Sequence, residues 1–210
     1  MTIAVSTEST ARSDDPAPAG TPVPLGSAWW VLIAGVIGLI ASMTLTVEKI
    51  KSLLDPLYVP SCNLNPVLGC GSVMGTPQAS LLGFPNPLIG IVAFTVVIVS
   101  GVLSLAKVPL PQWYWIGLAV ATAAGAVFVH WLIYQSLYRI GALCPYCMMV
   151  WAVTIPLLVV AASVAFRPAC ERSAVASVLY RWRWSITALW FAAVIVLIVV
   201  RFRDYWSTLL

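Results

Sequence analysis

The chain has 210 residues, of which 61% are hydrophobic and 9% are charged, and its formal net charge is +4. This composition is too apolar for an ordinary soluble domain and is typical of a membrane protein. A large soluble protein built on buried core helices would need polar partner segments, which this sequence lacks. We therefore expect membrane lipid, and not nucleic acid, to surround most of the chain.

Five apolar runs follow one another along the chain, and each is long enough to cross a bilayer as a helix. They cover residues 28–47, 87–106, 113–136, 142–166 and 184–200. The first follows a small, polar, proline-rich tail at 1–27, which we expect to be disordered and cytoplasmic, and it is interpreted as an uncleaved membrane helix. A basic linker at 167–183 precedes the last segment, 184–210. The pattern predicts an all-α integral membrane protein.

Charge indicates which way the chain crosses the membrane. Five helices place the two ends on opposite sides, and the linker 167–183 carries four arginines, which favour the cytoplasmic side. The N-terminus is then cytoplasmic, although Arg201 and Arg203 fall on the other side. The loop at 48–86 and the start of the fourth helix share the outer face, periplasmic or extracellular, of an inner or plasma membrane.

Four of the five cysteines lie on that predicted outer face. Cys62 and Cys70 are in the loop, whereas Cys144 and Cys147 open the fourth helix. Disulfides persist in oxidising compartments, so the placement of these cysteines supports the same orientation. Cys170 lies in the linker and is interpreted as a reduced bystander.

The sequence Cys-Pro-Tyr-Cys at 144–147 is typical of thiol–disulfide exchange. A helix N-terminus stabilises a thiolate through the helix dipole and unpaired N–H groups, and proline suits an early helical position. We expect Cys144 to be the more exposed thiol and Cys147 to lie about 4–5 Å deeper along the axis. That depth suits electron transfer to a lipid-soluble quinone.

The second pair, in SCNLNPVLGC, has its cysteines separated by residues suited to a turn. Two pairs in series would form an electron relay through mixed disulfides. The two pairs could instead be two structural disulfides. A purely structural disulfide, however, has no reason to occur as C-x-x-C at the start of a membrane helix. A four-thiolate metal site is another alternative, but the loop spacing is unusual for it and no histidine is near. We expect no metal.

Acidic residues are absent between Asp55 and Glu171. Proton-driven transport normally needs an ionisable residue inside the membrane, so thiols are expected to carry the redox chemistry. His130 in the third helix is the one imidazole of the chain. It is interpreted either as a packing residue or as a proton source beside a quinone.

The order and spacing of these elements resemble the vitamin K epoxide reductase (VKOR) family in its bacterial, disulfide-forming form. The resemblance covers roughly residues 28–166: a helix, a long loop with a cysteine pair, two helices, and C-x-x-C opening a fourth helix. The stretch CGSVMGTPQASLLGFPNPLIG also resembles the family's segment after the second loop cysteine, with Thr76 for the usual Ser and Asn86 four residues before Gly90. The resemblance implies a four-helix bundle around a quinone site, with a fifth transmembrane helix in addition.

The resemblance also implies roles for single residues. Cys62 would exchange with a partner protein and Cys70 with Cys144, while Cys147 would face a quinone of menaquinone, ubiquinone or phylloquinone type. Asn86 would hydrogen-bond a quinone oxygen.

The other residues expected to bind the quinone are Thr76, His130 and Trp151. Trp151 stands where family members often have Tyr, and its indole can donate a hydrogen bond only from the ring N–H.

The resemblance implies a quinone-dependent thiol–disulfide oxidoreductase that sustains disulfide formation in secreted proteins. Many bacterial members carry a fused thioredoxin-like domain, but no βαβ pattern follows the last apolar run here. The expected partner is therefore a separate periplasmic thioredoxin-fold (DsbA-like) protein. DsbB-type enzymes do similar work, although their C-x-x-C pair precedes the loop pair. A non-enzymatic metal-handling membrane protein is the remaining alternative.

Overall fold

The computed structural model describes residues 20–21, 23–81, 83–167 and 173–207. In this part of the chain five helices are long and apolar enough to cross a membrane. They are α1 (Leu25–Leu54), α3 (Pro87–Leu105), α4 (Gln112–Tyr134), α5 (Pro145–Ala165) and α6 (Ala174–Arg201). The remaining elements are α2 (Cys70–Met74), a 3-10 turn (Pro77–Ser80), a π-helix (Gln135–Ile140) that continues α4, and α7 (Arg203–Trp206). The predicted all-α membrane architecture is confirmed, while Cys170 and most of the predicted tail lie outside the described residues.

The first helix is longer than the apolar pattern predicts, so the loop begins at Asp55 and not at residue 48. Glu48, Lys49 and Lys51 continue the helix because long charged side chains are good helix formers. Proline ends it: the residue before Pro56 is pushed out of the helical region, and Asp55 is extended at φ −129° and ψ 108°.

The fifth helix also begins earlier than predicted, since α6 includes residues 174–183 of the expected linker. Arginine in this segment was interpreted as a loop signal. In the structure Arg183 donates to the Tyr180 carbonyl from Nη1 at 2.6 Å and stacks over its ring at 3.9 Å. Arginine propagates a helix well, and its long side chain keeps the charge at the membrane boundary.

Four of the long helices form the core, in which α1 packs along both α3 and α5, and α4 packs on α5. The centre of this bundle is apolar and includes Val31, Phe94, Trp115, Leu157 and Ala161. The fifth long helix, α6, packs on the outside, and among its described side chains only that of Thr187 is buried. Most of α6 therefore presents apolar side chains to the surroundings, as a lipid-facing helix does.

Glycine allows α1 and α3 to approach closely. A Cβ atom on Gly101 of α3 would lie 2.8 Å from the backbone N and Cα of Leu32 in α1. Backbone atoms cannot rotate away as a side chain can, so the two helices would have to separate. Small residues serve this purpose in membrane bundles.

We expect Gly101→Ala to lower the free energy of unfolding by about 1–3 kcal/mol, the usual cost of overpacking a filled interface. The measurement is thermal unfolding in detergent, with Gly117→Ala as the matched control. A Cβ on Gly117 meets nothing within 4 Å, so there alanine should be neutral or stabilising through its helix propensity. Equal stability of the two variants would contradict the assigned contact.

Candidate functional site

A buried carboxylate anchors the start of the loop to the first helix. Glu48 of α1 is 5% exposed. Its carboxylate accepts hydrogen bonds from the Tyr58 hydroxyl at 3.0 Å, from the Ser61 hydroxyl at 2.8 Å and from the Ser61 N–H at 3.2 Å. These bonds satisfy a charge that would otherwise be costly to bury. They fix the backbone immediately before Cys62.

Two further contacts hold the loop around Cys70. The Lys49 ammonium donates to the Met74 carbonyl at 2.6 Å, at the end of α2. The Asn63 side chain accepts from the Gly71 N–H at 2.9 Å. The first hydrogen bond attaches the loop to α1, and the second joins two parts of the loop on either side of Cys70.

A pair of backbone hydrogen bonds joins the loop to the residues that precede α5. The Gly69 N–H donates to the Leu143 carbonyl at 2.9 Å, and the Leu143 N–H donates to the Val67 carbonyl at 2.7 Å. Together they make an isolated parallel bridge between Leu68 and Leu143. Each bridge residue lies one or two positions before a cysteine, so the bridge sets Cys70 beside Cys144.

The sulfur atoms of the four cysteines in the loop and at the start of α5 lie next to one another in a row. Cys62 and Cys70 form a disulfide, and the Cys144 Sγ lies 3.0 Å from the Cys70 Sγ. Cys144 and Cys147 are free thiols in contact with each other. Such an arrangement permits thiol–disulfide exchange between the pairs, because an attacking thiolate must reach a disulfide sulfur directly.

The prediction that Cys144 is the more exposed thiol is wrong. Cys144 is fully buried, whereas Cys147 is partly exposed and lines a cavity. The cause is the loop, which covers Cys144 with Cys62, Cys70 and Met74. A position at the mouth of a helix is exposed only when no other segment packs on it.

Local hydrogen bonds favour the thiolate of Cys144. It is the N-cap residue of α5, with extended backbone at φ −100° and ψ 121°. The Cys147 thiol and the N–H groups of Cys147 and Tyr146 donate to it, and together they outweigh burial and lower the pKa of Cys144. A lower pKa increases the fraction of the nucleophilic form at neutral pH.

A cavity of about 350 Å³ opens between the four core helices and the loop. Its walls are mostly apolar side chains, including Leu45, Phe94, Val97, Leu118, Val129 and Leu157. Cys147 is the one cysteine among the lining residues. The volume and the apolar wall with few polar groups are typical of small-molecule sites.

Asn86 and Thr76, two of the residues predicted to bind a cofactor, both line this cavity. The Asn86 amide donates from Nδ2 to the Gln78 carbonyl at 2.7 Å and accepts at Oδ1 from the Leu81 N–H at 3.1 Å. One amide hydrogen of Asn86 remains for a ligand. The Thr76 hydroxyl donates to the Val73 carbonyl at 2.7 Å, which leaves only its lone pairs.

Trp151 also lines the cavity, and its Nε1 is buried without a hydrogen-bond partner among the described residues.

His130, in contrast, is not among the residues that line the cavity. Its Nδ1 contacts the Ala126 carbonyl at 2.7 Å, and its Nε2 accepts from the Trp190 indole N–H at 2.8 Å. The imidazole therefore attaches α6 to α4, and the structure does not bring it into the cavity lining.

Glu48, Lys49 and Gln135 belong to the site but were missed by the sequence analysis. Glu48 and Lys49 could have been found by extending the helical period beyond the apolar run, since both stand on the turn that follows it. Gln135 could have been found as an isolated amide inside the apolar run 113–136.

The Cys62–Cys70 disulfide also bears on the four-thiolate metal alternative. Cys62 and Cys70 are joined to each other, so their sulfurs are not thiolate ligands. In the described parts of the chain no group of three His, Cys, Asp or Glu side chains is placed to hold a metal ion.

Comparison with known families decides the identity of this helical bundle. The model of the vitamin K epoxide reductase family matches residues 29–162, more than half of the chain. The protein belongs to the VKOR family. No curated protein matches the sequence. The VKOR match runs from within α1 to within α5 and includes both cysteine pairs.

Membership of the VKOR family makes this protein a multi-pass membrane thiol–disulfide oxidoreductase. The relay of sulfurs and the adjoining cavity belong to the matched region. Helix α6 lies beyond it.

Proposed function

We propose that the protein oxidises the dithiol of a periplasmic thioredoxin-fold partner and passes the electrons to a quinone. Electrons enter at Cys62 and Cys70 and leave from Cys144 and Cys147. The observation that carries the proposal is the 3.0 Å separation of the Cys70 and Cys144 sulfurs, with Cys147 next in line on the cavity wall.

The steps balance as two-electron exchanges. A partner thiolate attacks the Cys62 sulfur, the Cys62–Cys70 bond breaks, and the second partner thiol then displaces Cys62 to leave the partner oxidised. The Cys70 thiolate attacks Cys144 of a Cys144–Cys147 disulfide, and Cys62 then resolves this bond to restore Cys62–Cys70. The Cys144–Cys147 dithiol gives two electrons and two protons to a quinone, which leaves as a quinol.

One state of the proposed cycle has the cysteine pairing seen in the structure. The loop pair is oxidised and the inner pair is reduced, so the electrons have reached the cysteines next to the cavity. A thiolate on Cys144 is favoured in this state by its hydrogen bonds, including that from Cys147.

The cavity residues fit a quinone head group. Such a ring is apolar apart from its two carbonyl oxygens, which only accept hydrogen bonds. Asn86 retains one amide hydrogen, and Trp151 has a buried ring N–H without a partner in the part of the chain that the structure describes. We assign these two donors to the carbonyls, with Thr76 holding the end of α2. His130 has no place in this set, because its ring bonds Trp190.

The proposed orientation follows from the chemistry. The cysteine pairs face the periplasm or cell exterior, where disulfides persist, and the N-terminus is cytoplasmic. Arg167, Arg181 and Arg183 then lie toward the cytoplasm, in accord with the preference of basic residues for that side.

We expect Trp151→Phe to raise the KM for quinone about tenfold, because it removes one hydrogen bond and keeps the aromatic packing. The measurement is quinone-dependent thiol oxidation by the purified protein. Trp115→Phe is the matched control, since Trp115 Nε1 is also buried without a partner among the residues described, but Trp115 does not line the cavity. An unchanged KM in Trp151→Phe would remove the indole from the quinone site.

The function as a whole is tested in a cell that lacks its own thiol-oxidising membrane enzyme. Expression of the protein should restore disulfide formation in a secreted reporter, and a variant with all four relay cysteines changed to serine should not. Restoration by the four-serine variant would contradict the proposal.

A further inference from the structure

Gln135 places an amide side chain in the wall of the cavity. It is the first residue of the π-helix that follows α4, and it lines the cavity. Its Oε1 is buried and has no hydrogen-bond partner in the described part of the chain. Buried polar atoms are nearly always paired, so an unpaired acceptor in a residue of the cavity wall indicates a donor that the described part of the chain does not supply.

Three other polar side chains of the cavity wall already make hydrogen bonds within the protein. Thr76 donates to Val73, Lys49 donates to Met74, and Asn86 uses its oxygen and one amide hydrogen within the loop. In the described part of the chain, two residues of the cavity wall keep a buried polar side-chain atom without a partner: Trp151 with its ring N–H and Gln135 with its oxygen. Asn86 keeps one amide hydrogen.

The backbone around Gln135 is held in place. Single π-helical turns often occur at functional sites, and this one is fixed at both ends. The Gln135 N–H donates to the carbonyls of Trp131 and Leu132. At the far end Gly141 adopts the left-handed conformation at φ 71°, and Arg201 of α6 donates from Nε to the Leu137 carbonyl at 2.8 Å.

We propose that Gln135 recognises the reduced form of the substrate, by accepting a hydrogen bond from a quinol hydroxyl. This inference rests on the proposed function. A quinone has no donor for the Gln135 oxygen, whereas the quinol formed by transfer of two protons has two O–H groups. Gln135 thus adds to the Asn86 and Trp151 donors a contact that forms only as the hydroxyl forms.

The test is equilibrium binding to the purified full chain in lipid nanodiscs under anaerobic conditions. Quinol is titrated into reduced protein and quinone into oxidised protein, so that neither mixture reacts. The probes are a short-chain naphthoquinone and a short-chain benzoquinone in both redox forms. Gln135→Leu and Gln135→Met are each compared with the wild type in the same redox state.

We expect both variants to raise the quinol Kd about tenfold, as loss of one hydrogen bond predicts, and to change the quinone Kd less than twofold. Unchanged quinone binding also shows that the cavity is intact. The matched control is Gln112→Leu, since Gln112 bonds the Ala165 carbonyl at 3.2 Å and does not line the cavity. It should change neither constant.

An unchanged quinol Kd in the Gln135 variants would overturn this inference. So would an equal loss of affinity for quinone and quinol, because the amide would then act as a donor or as a filler of space. Failure of the wild type itself to bind any of the probes would instead overturn the proposed function, and that result is obtained before any variant is compared.

Discussion

Replacing Cys147 with serine is expected to abolish quinone reduction, with a fall in rate on the order of 10³ or more, because the relay loses the sulfur that lines the cavity. The exchange between the pairs should survive. Cys144 lies 3.0 Å from the sulfur of Cys70, so it can attack the Cys62–Cys70 disulfide and release Cys62. The variant should therefore accumulate a Cys70–Cys144 bond and a free Cys62 thiol.

The measurement combines quinone turnover with mass spectrometric mapping of disulfides under non-reducing conditions. The control is the double variant Cys144→Ser, Cys147→Ser, which should keep the Cys62–Cys70 bond. Normal quinone turnover by the Cys147→Ser single variant would refute the assignment of Cys147 as the electron donor to the quinone.

Replacing Cys62 with serine should abolish exchange with the thioredoxin-fold partner. Cys62 is 5% exposed while Cys70 is fully buried, so Cys62 is the more accessible sulfur of the loop pair. A small dithiol such as dithiothreitol should still support quinone reduction, because it can reach Cys147 through the cavity that this residue lines. The partner-dependent rate should fall to background.

The measurement compares oxidation of a purified periplasmic thioredoxin-fold protein with oxidation of dithiothreitol by the same preparation. Ser61→Ala is a useful control, because it keeps the sulfur and removes only one hydrogen bond to Glu48. If Cys62→Ser oxidised the partner at the wild-type rate, the entry point would have to be another cysteine.

The spans and the cysteine pairs were predicted from the sequence alone. A run of apolar residues near 20 in length has one stable state in lipid, a helix, because every backbone group must be paired internally. Each of the five predicted runs lies within or overlaps a helix of the structure. The ends of α1 and α6 were misplaced, because charged residues at a membrane boundary continue a helix as readily as they begin a loop.

Burial in the site was less predictable. The local pattern at Cys144 indicated an exposed helix mouth, but a segment distant in sequence covers it, through the bridge between Leu68 and Leu143. His130 shows the same limit: its place in an apolar helix left open a packing role and a role beside a quinone, and only the structure gives its partner, Trp190 on α6.

The sequence by itself determined the membrane class, the number of spans and the two cysteine pairs, because helical period, hydrophobic length and cysteine spacing are local properties. Only the tertiary structure decided that the loop buries Cys144, and that Gln135 and Trp151 of the cavity wall each keep a buried polar atom without a partner in the described part of the chain. These features depend on contacts between residues far apart in the chain, set by helix packing and by the hydrogen bonds of Glu48 and Lys49 to the loop. No local pattern encodes such distances.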